Sequence, residues 1–214
     1  MKLHFSEKEW SLEHHGSVLL RSDAEQPFLF AGIGQETVDM YRGNFKIEDY
    51  VTERRPLAVS SVLAVPGGVS VEYGDDLSLR ITLDGDCATL AFTQKNPAVN
   101  RLWLRVLAEP DECCWGCGEQ MSYFNLRGRH FPLWTSEPGV GRDKSTYVTW
   151  RSDVENKAGG DYYNTNFPQP TYVSSRHYYL HADTTAYADF DFRHPEFHEL
   201  QFWAVPASVR IEAA

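Results

Sequence analysis

The sequence predicts an all-β protein, an antiparallel β-sandwich with long irregular loops. Several short segments alternate apolar and polar residues with a period of two, as strands with one buried face do. Turn residues such as Pro66-Gly67-Gly68 and Asp84-Gly85-Asp86 separate these segments, and a spacing of about 8–12 residues between turns is typical of sandwiches and barrels. A chain of 214 residues is long enough to bury a substantial core, so we treat residues 1–214 as a single domain.

Individual strands are predicted where apolar residues occupy every second position. The opening segment is ambiguous, and no amphipathic helix longer than about two turns is predicted. Between residues 113 and 170 the alternation fades, which indicates either a functional loop or elements without a clear pattern. The last strand pattern is cut short by the C-terminus, which we interpret as a domain edge. The predicted strands cover residues 69–73, 77–83, 88–92, 102–106, 186–192, 200–204 and 208–212.

Composition and charge narrow the possible partners. The chain has 20 Lys and Arg residues against 30 Asp and Glu residues, a formal net charge of −10. An acidic chain without a Lys/Arg tract is not expected to bind nucleic acid or an anionic membrane surface. It contains neither an apolar run long enough to span a membrane nor a signal peptide. These features predict a soluble, cytoplasmic protein.

The four cysteines are Cys87, Cys113, Cys114 and Cys117. Three of them fall within five residues, a poor framework for disulfides in a domain of this size, so reduced thiols are expected. Cys114 and Cys117 form a C-x-x-C, but no helix pattern follows it and no further pair of ligands is nearby in sequence. We interpret this motif as coincidental and predict no metal site and no cofactor.

The sequence carries no recognisable catalytic constellation. It contains no Gly-x-Ser-x-Gly elbow, phosphate-binding loop or dinucleotide fingerprint. His177 with His181 and His194 with His198 have the spacing of a helical metal site, but a strand places such residues more than about 10 Å apart. No catalytic residue is therefore predicted in this chain.

Basic and aromatic residues concentrate between residues 127 and 157. Trp134, Tyr147 and Trp150 offer flat apolar faces that can stack on sugar rings, and arginine forks can hold an anionic oxygen group. The alternative is a solvated loop or a docking surface for another domain. The basic residues of this segment are Arg127, Arg129, Arg142, Lys144, Arg151 and Lys157.

Several blocks of the sequence resemble one known family. Residues 116–120, Gly-Cys-Gly-Glu-Gln, resemble the Gly-Leu-Gly-Glu signature in the N-terminal domain of glycoside hydrolase family 31, through Gly116, Gly118 and Glu119. Residues 122–150 and 159–183 closely resemble the sulfoquinovosidase branch of that family, and residues 39–45 and 100–105 fit the same branch. Cys117 stands where the wider family more often has Leu, a difference that affects packing rather than chemistry.

The resemblance implies a multidomain retaining α-glycosidase. Its N-terminal domain is a galactose-mutarotase-like β-sandwich, followed by a catalytic (β/α)₈ barrel that carries the two acidic catalytic residues. This chain is then an accessory domain that packs on the barrel, and its partners are the barrel of the same polypeptide and a carbohydrate substrate. Catalytic residues would lie outside this chain.

The resemblance further implies that a loop of the sandwich helps to wall the substrate pocket. The best match is the stretch from Trp134 to Arg142, which includes Glu137, with Tyr162 and Tyr163 as a second wall. Three alternatives stay open: the N-terminal domain of an ordinary α-glucosidase, a free-standing carbohydrate-binding module, and a stand-alone aldose epimerase.

Overall fold

A computed structural model, which describes residues 1–41, 43–120 and 122–213, confirms the antiparallel β-sandwich. The elements follow in chain order, with the strands numbered separately from the helix. They are β1 (Lys2–Phe5), β2 (Trp10–His14), β3 (Ser17–Ser22), β4 (Leu29–Tyr41), β5 (Asn44–Pro56), β6 (Ser61–Val65), β7 (Gly68–Tyr73), β8 (Leu77–Asp84), β9 (Cys87–Gln94), β10 (Arg101–Leu107), β11 (Cys114–Gln120), β12 (His130–Leu133), α1 (Tyr147–Asn156), β13 (Thr165–Ser174), β14 (Tyr178–Asp183), β15 (Ala188–Asp191), β16 (Phe197–Phe202) and β17 (Ser208–Ala213).

Two large sheets enclose one hydrophobic core. The first has the strand order β12-β15-β16-β10-β4-β5, the second has the order β11-β13-β14-β17-β9-β8-β7-β6, and β1-β2-β3 form a small third sheet. In strands such as β7, β8 and β16, alternate residues point inward, as the period of two requires. Leu79 and Ile81 of β8 and Leu200 and Phe202 of β16, for example, are fully buried. The four strands predicted between residues 69 and 106 and the strand predicted at 208–212 are confirmed. The strands predicted at 186–192 and 200–204 exist with different bounds, at 188–191 and 197–202.

Strands β4 and β5 form a long hairpin that the sequence analysis did not predict. β10 pairs with β4 only over residues 29–32, after which a bulge between Ile33 and Gly34 redirects the strand. Within the described residues, positions 34–41 pair with β5 alone. We call residues 34–51 of this hairpin the ribbon. Val38, Met40 and Tyr50 are each more than half exposed, so the ribbon lacks the buried, alternating face that identifies a strand from sequence.

The segment from residue 113 to 170 is more regular than predicted. It contains β11, β12, part of β13 and α1, whose ten residues make nearly three turns. The sequence analysis predicted no amphipathic helix longer than about two turns, and α1 is a longer helix that it did not predict. Among the helical residues only Thr149 is buried, whereas Trp150 and Val154 face solvent, so the sequence carries no amphipathic pattern. No helix in the described residues is long and apolar enough to cross a membrane.

Candidate functional site

The ribbon tip, the loop after β12 and helix α1 meet at one corner of the sandwich, which we call the Phe45 corner. The ring of Phe45 contacts that of Trp134 edge-on, with a centroid distance of 4.6 Å. On the opposite side of the tip, Asp39 Oδ2 lies 3.5 Å from Lys157 Nζ at the end of α1. Aromatic contact and ion pairing thus join three elements that are distant in sequence.

Gly43 explains how the turn of the ribbon fits against the loop. It has φ of +78°, and a Cβ there would lie 2.6 Å from Glu137 Cγ. The backbone N–H of Glu137 donates a hydrogen bond to the Gly43 carbonyl at 3.1 Å. A side chain at this position would displace that of Glu137, and the positive φ itself favours glycine.

Three adjoining cavities surround Phe45. One of about 250 Å³ lies between the tip, the loop and α1, and includes Trp134 and Tyr163 in its lining. A second of about 360 Å³ lies on the outer side of the tip, beside Tyr41 and Lys46. The third, of about 490 Å³, is a groove between the ribbon and the body of the sandwich. Phe45 is the residue that lines all three.

The charged groups in the first two cavities are paired. Lys144 Nζ lies 3.2 Å from Asp153 Oδ2 and donates to the Gly159 carbonyl at 2.9 Å. Asp161 Oδ1 accepts a hydrogen bond from the Tyr163 backbone N–H at 2.8 Å. Acidic groups held in this way are suited to shaping a polar surface, whereas general acid–base catalysis requires a carboxyl group that is positioned to exchange a proton with the substrate.

Of the predicted pocket-wall residues, the structure brings Trp134 and Tyr163 into one cavity. Trp134 is half-buried directly after β12, and its ring also approaches that of Tyr187 at 6.4 Å. Tyr163 packs on the ring of Phe131 at 5.8 Å. These two residues define the inner wall of the 250 Å³ cavity.

The other three predicted wall residues lie around this cavity but are not part of its lining. Glu137 is exposed at the ribbon tip, and Arg142 reaches the Asp161 carbonyl at 3.4 Å. Tyr162 is 42% exposed. Sequence reasoning missed the ribbon side of the corner, namely Phe45, although residues 39–45 were one of the blocks that carried the family resemblance.

The Gly-x-Gly-Glu motif has a structural role in β11. Gly116 has φ of +121° and Gly118 has φ of +93°, and a bulge lies between them in the pairing with β13. A Cβ on Gly118 would lie 2.0 Å from the Phe167 carbonyl oxygen. Cys117 between them is buried at φ of +63°, and Glu119 is exposed. The two glycines therefore permit the bulge.

The C-x-x-C motif does not act as a pair. Cys117 is buried in the core, whereas Cys114 Sγ lies 3.5 Å from His198 Nε2, which is 3.2 Å from Glu112 Oε2. Three potential ligand atoms thus lie within 4.8 Å of one another. The expectation that the motif has no further ligands nearby was wrong, since Glu112 lies two residues before Cys114 and His198 contacts Cys114 in space. Burial raises the pKa of the Cys114 thiol well above its usual range, which favours the neutral thiol.

Comparison with known proteins shows which proteins this chain is similar to. No family model matches the chain. The chain is 56% identical to the sulfoquinovosidase of Agrobacterium fabrum over 196 residues, which is 92% of this chain and 29% of that protein. It is 43% identical to the sulfoquinovosidase of Escherichia coli over 218 residues, which is 100% of this chain and 32% of that protein.

A solved structure agrees with the sequence comparison. The chain superposes on a sulfoquinovosidase of glycoside hydrolase family 31 from E. rectale, solved with the aza-sugar inhibitor IFGSQ, with a TM-score of 0.98 and 58% identity. The match covers 100% of this chain and 32% of that structure. The chain thus spans about a third of the length of the relatives that it matches.

Proposed function

We propose that this chain, which belongs to the sulfoquinovosidase branch of glycoside hydrolase family 31, is the N-terminal accessory domain of a retaining glycosidase that hydrolyses α-sulfoquinovosides. The observation that carries the proposal is the match of the whole chain, at 58% identity, to about a third of a sulfoquinovosidase structure. The remaining two thirds of such a polypeptide is long enough for a catalytic barrel, which needs about 250 residues.

In this proposal the chain shapes the substrate pocket and leaves bond cleavage to the barrel. A retaining glycosidase uses two carboxyl groups about 5–5.5 Å apart, one as nucleophile and one as acid and then base. The Phe45 corner would close one side of that pocket with Trp134 and Tyr163. Aromatic walls there would exclude water and hold the sugar ring in place.

The surface next to the corner supports docking to a second domain. Tyr147, Val148, Trp150 and Val154 of α1 are each more than half exposed. An apolar patch of this kind on a folded domain usually marks an interface. We therefore assign the outer face of α1 to the contact with the catalytic barrel of the same polypeptide.

Activity measurements with an aryl α-sulfoquinovoside test the proposal. We expect turnover by the complete polypeptide and none by residues 1–214 alone. Trp134→Ala in the complete polypeptide should raise KM, since it removes part of the wall, whereas Trp10→Phe in the small third sheet should leave KM unchanged. Turnover by residues 1–214 alone would contradict the proposal. An aryl α-glucoside hydrolysed equally well would assign the domain to an ordinary α-glucosidase.

The groove between the ribbon and the sandwich favours one alternative, a carbohydrate-binding module. Trp134, Tyr187 and Trp203 line this 490 Å³ groove, and aromatic side chains stack on sugars. Calorimetric titration of the chain with sulfoquinovose distinguishes the two functions, because micromolar binding by the chain alone would favour the module.

The four cysteines are unpaired, which supports a cytoplasmic location for the proposed enzyme.

A further inference from the structure

The ribbon leaves the sandwich at an ionic clamp around one buried arginine. Arg101, the first residue of β10, is 2% exposed. Its Nη2 atom lies 2.7 Å from Glu36 Oε2 and 2.8 Å from Asp49 Oδ1. Glu36 and Asp49 are directly opposite each other in the β4–β5 register. Two carboxylates at such positions repel each other, so a cation between them is needed to hold the strands together at this point.

Five further contacts fix the clamp in one geometry. The Arg101 guanidinium stacks on Trp203 at 4.4 Å and donates from Nη1 to the Asn100 carbonyl at 2.9 Å. Gln201 Nε2 donates to Asp49 Oδ2 at 3.0 Å. The Asn100 side chain donates to the Gly34 carbonyl at 2.9 Å and accepts from the Gly34 N–H at 2.8 Å. An arginine held on a ring face and by a fixed fork of donors has little freedom to reorient.

Gly34 shows how closely the clamp and the ribbon approach. A Cβ at this position would lie 2.9 Å from Arg101 Nε and 3.0 Å from Asp49 Oδ1. Gly34 also follows the bulge at which the ribbon turns away from the sheet. Bulges redirect a strand, and here the clamp sits on the bulge and fixes the direction that the ribbon takes.

Between the clamp and the tip, the described part of the ribbon pairs with no strand outside the hairpin. The 490 Å³ groove separates Val38 and Ile47 from the body of the sandwich. The ribbon meets the body again near its tip, through Phe45 against Trp134, the Gly43 carbonyl and the Asp39–Lys157 ion pair. An isolated two-stranded hairpin is marginally stable in water, so the direction of the tip depends on how firmly the base is held.

We infer that Arg101 is a positioning residue for the candidate pocket wall: it orients the ribbon, and through Phe45 it fixes the position of Trp134. This inference rests on the proposed function, since the Phe45 corner lines a substrate pocket only if a catalytic domain lies against it. Arg101 is 2% exposed, so we assign it no contact with the substrate. Its effect is on how well the wall is placed, so substrate binding should respond more than the chemical step.

Hydrogen exchange on residues 1–214 tests the mechanical half of the inference. In Arg101→Met, amides of residues 35–41 and 45–50 should exchange at least about tenfold faster, because a hydrogen-bonded ion pair is lost. Arg105→Met is the matched control, since Arg105 lies on the same strand and pairs with Glu199 instead of the ribbon. Adding Glu36→Gln and Asp49→Asn to Arg101→Met removes the unpaired charges and keeps the variant folded. If the ribbon amides of Arg101→Met exchanged as slowly as those of Arg105→Met, the inference would be overturned.

Kinetics of the complete polypeptide test the functional half. In Arg101→Met, KM should rise at least about fivefold with kcat nearly unchanged, because misplacement by about 1 Å weakens a site substantially. Arg101→Lys should restore part of the loss, and Arg105→Met should behave as the unchanged protein. If Trp134→Ala raises KM and Arg101→Met does not, the inference fails while the proposed function stands. If the complete polypeptide shows no turnover, or Trp134→Ala has no effect, the proposed function fails and the inference fails with it.

Discussion

At the scale of single residues, the buried pair of Glu112 and His198 shows how polar groups are held inside this sandwich. Both side chains are fully buried. Glu112 Oε1 accepts hydrogen bonds from Ser174 Oγ at 2.5 Å and from Tyr178 Oη at 3.1 Å. A buried carboxylate is tolerated when it is hydrogen-bonded on every side, and this network joins β13, β14 and β16 to the loop before β11.

The pKa of Glu112 makes stability depend on pH. Burial alone would raise this pKa, but hydrogen bonds and charge interaction with His198, together with Ser174 and the Glu109 N–H, lower it to about 2. A carboxyl group with a lower pKa in the folded state stabilises the fold above its unfolded pKa, and this contribution is lost as pH falls toward 2. Glu112→Gln should therefore reduce the free energy of unfolding at pH 7 by about 1–3 kcal/mol.

Urea denaturation of residues 1–214 between pH 7 and 3 checks this prediction. The free energy of unfolding of the Glu112→Gln variant should fall less steeply below about pH 4.5 than that of the unchanged chain. Glu119→Gln, at an exposed position, is the control. A pH profile of Glu112→Gln parallel to that of the control would show that Glu112 is not the group responsible.

At the scale of elements, the pairing of β11 with β13 depends on the motif glycines. Gly118→Ala should destabilise the fold by at least about 2 kcal/mol, because its Cβ would lie 2.0 Å from a backbone oxygen at φ of +93°. Gly74→Ala is the control: Gly74 also has positive φ, +59°, but a Cβ there meets nothing within 4 Å, so about 1–2 kcal/mol is expected. Equal losses in urea denaturation would show that close approach to β13 is unimportant.

The elements also differ in how well the sequence predicts them. β8 alternates apolar and polar residues because one face packs in the core, so its position follows from the period of two. The ribbon and α1 carry apolar side chains such as Val38 and Val154 on exposed faces, which hides the period of both elements. Both were missed, since amphipathic patterns record only the burial that the chain itself provides.

At the scale of the whole molecule, the residues of the candidate site could not be predicted from hydrophobic periodicity alone. Trp134 and Tyr163 were identified through resemblance to a family, and the structure places them in one cavity. Phe45 was not selected, because its contact with Trp134 spans 89 positions in the chain and depends on a bulge and on the buried Arg101. Sequence patterns that operate over a few residues do not record such contacts.

We propose that this sandwich walls a pocket whose reacting groups lie in another domain. A structure of the complete polypeptide with an aza-sugar inhibitor bound would test this directly. We expect both carboxyl groups that flank the anomeric position, about 5–5.5 Å apart, to come from outside residues 1–214. The Phe45 corner should lie against the same pocket. An inhibitor held between two carboxyl groups of residues 1–214, or one bound with the Phe45 corner remote from it and open to solvent, would contradict the account.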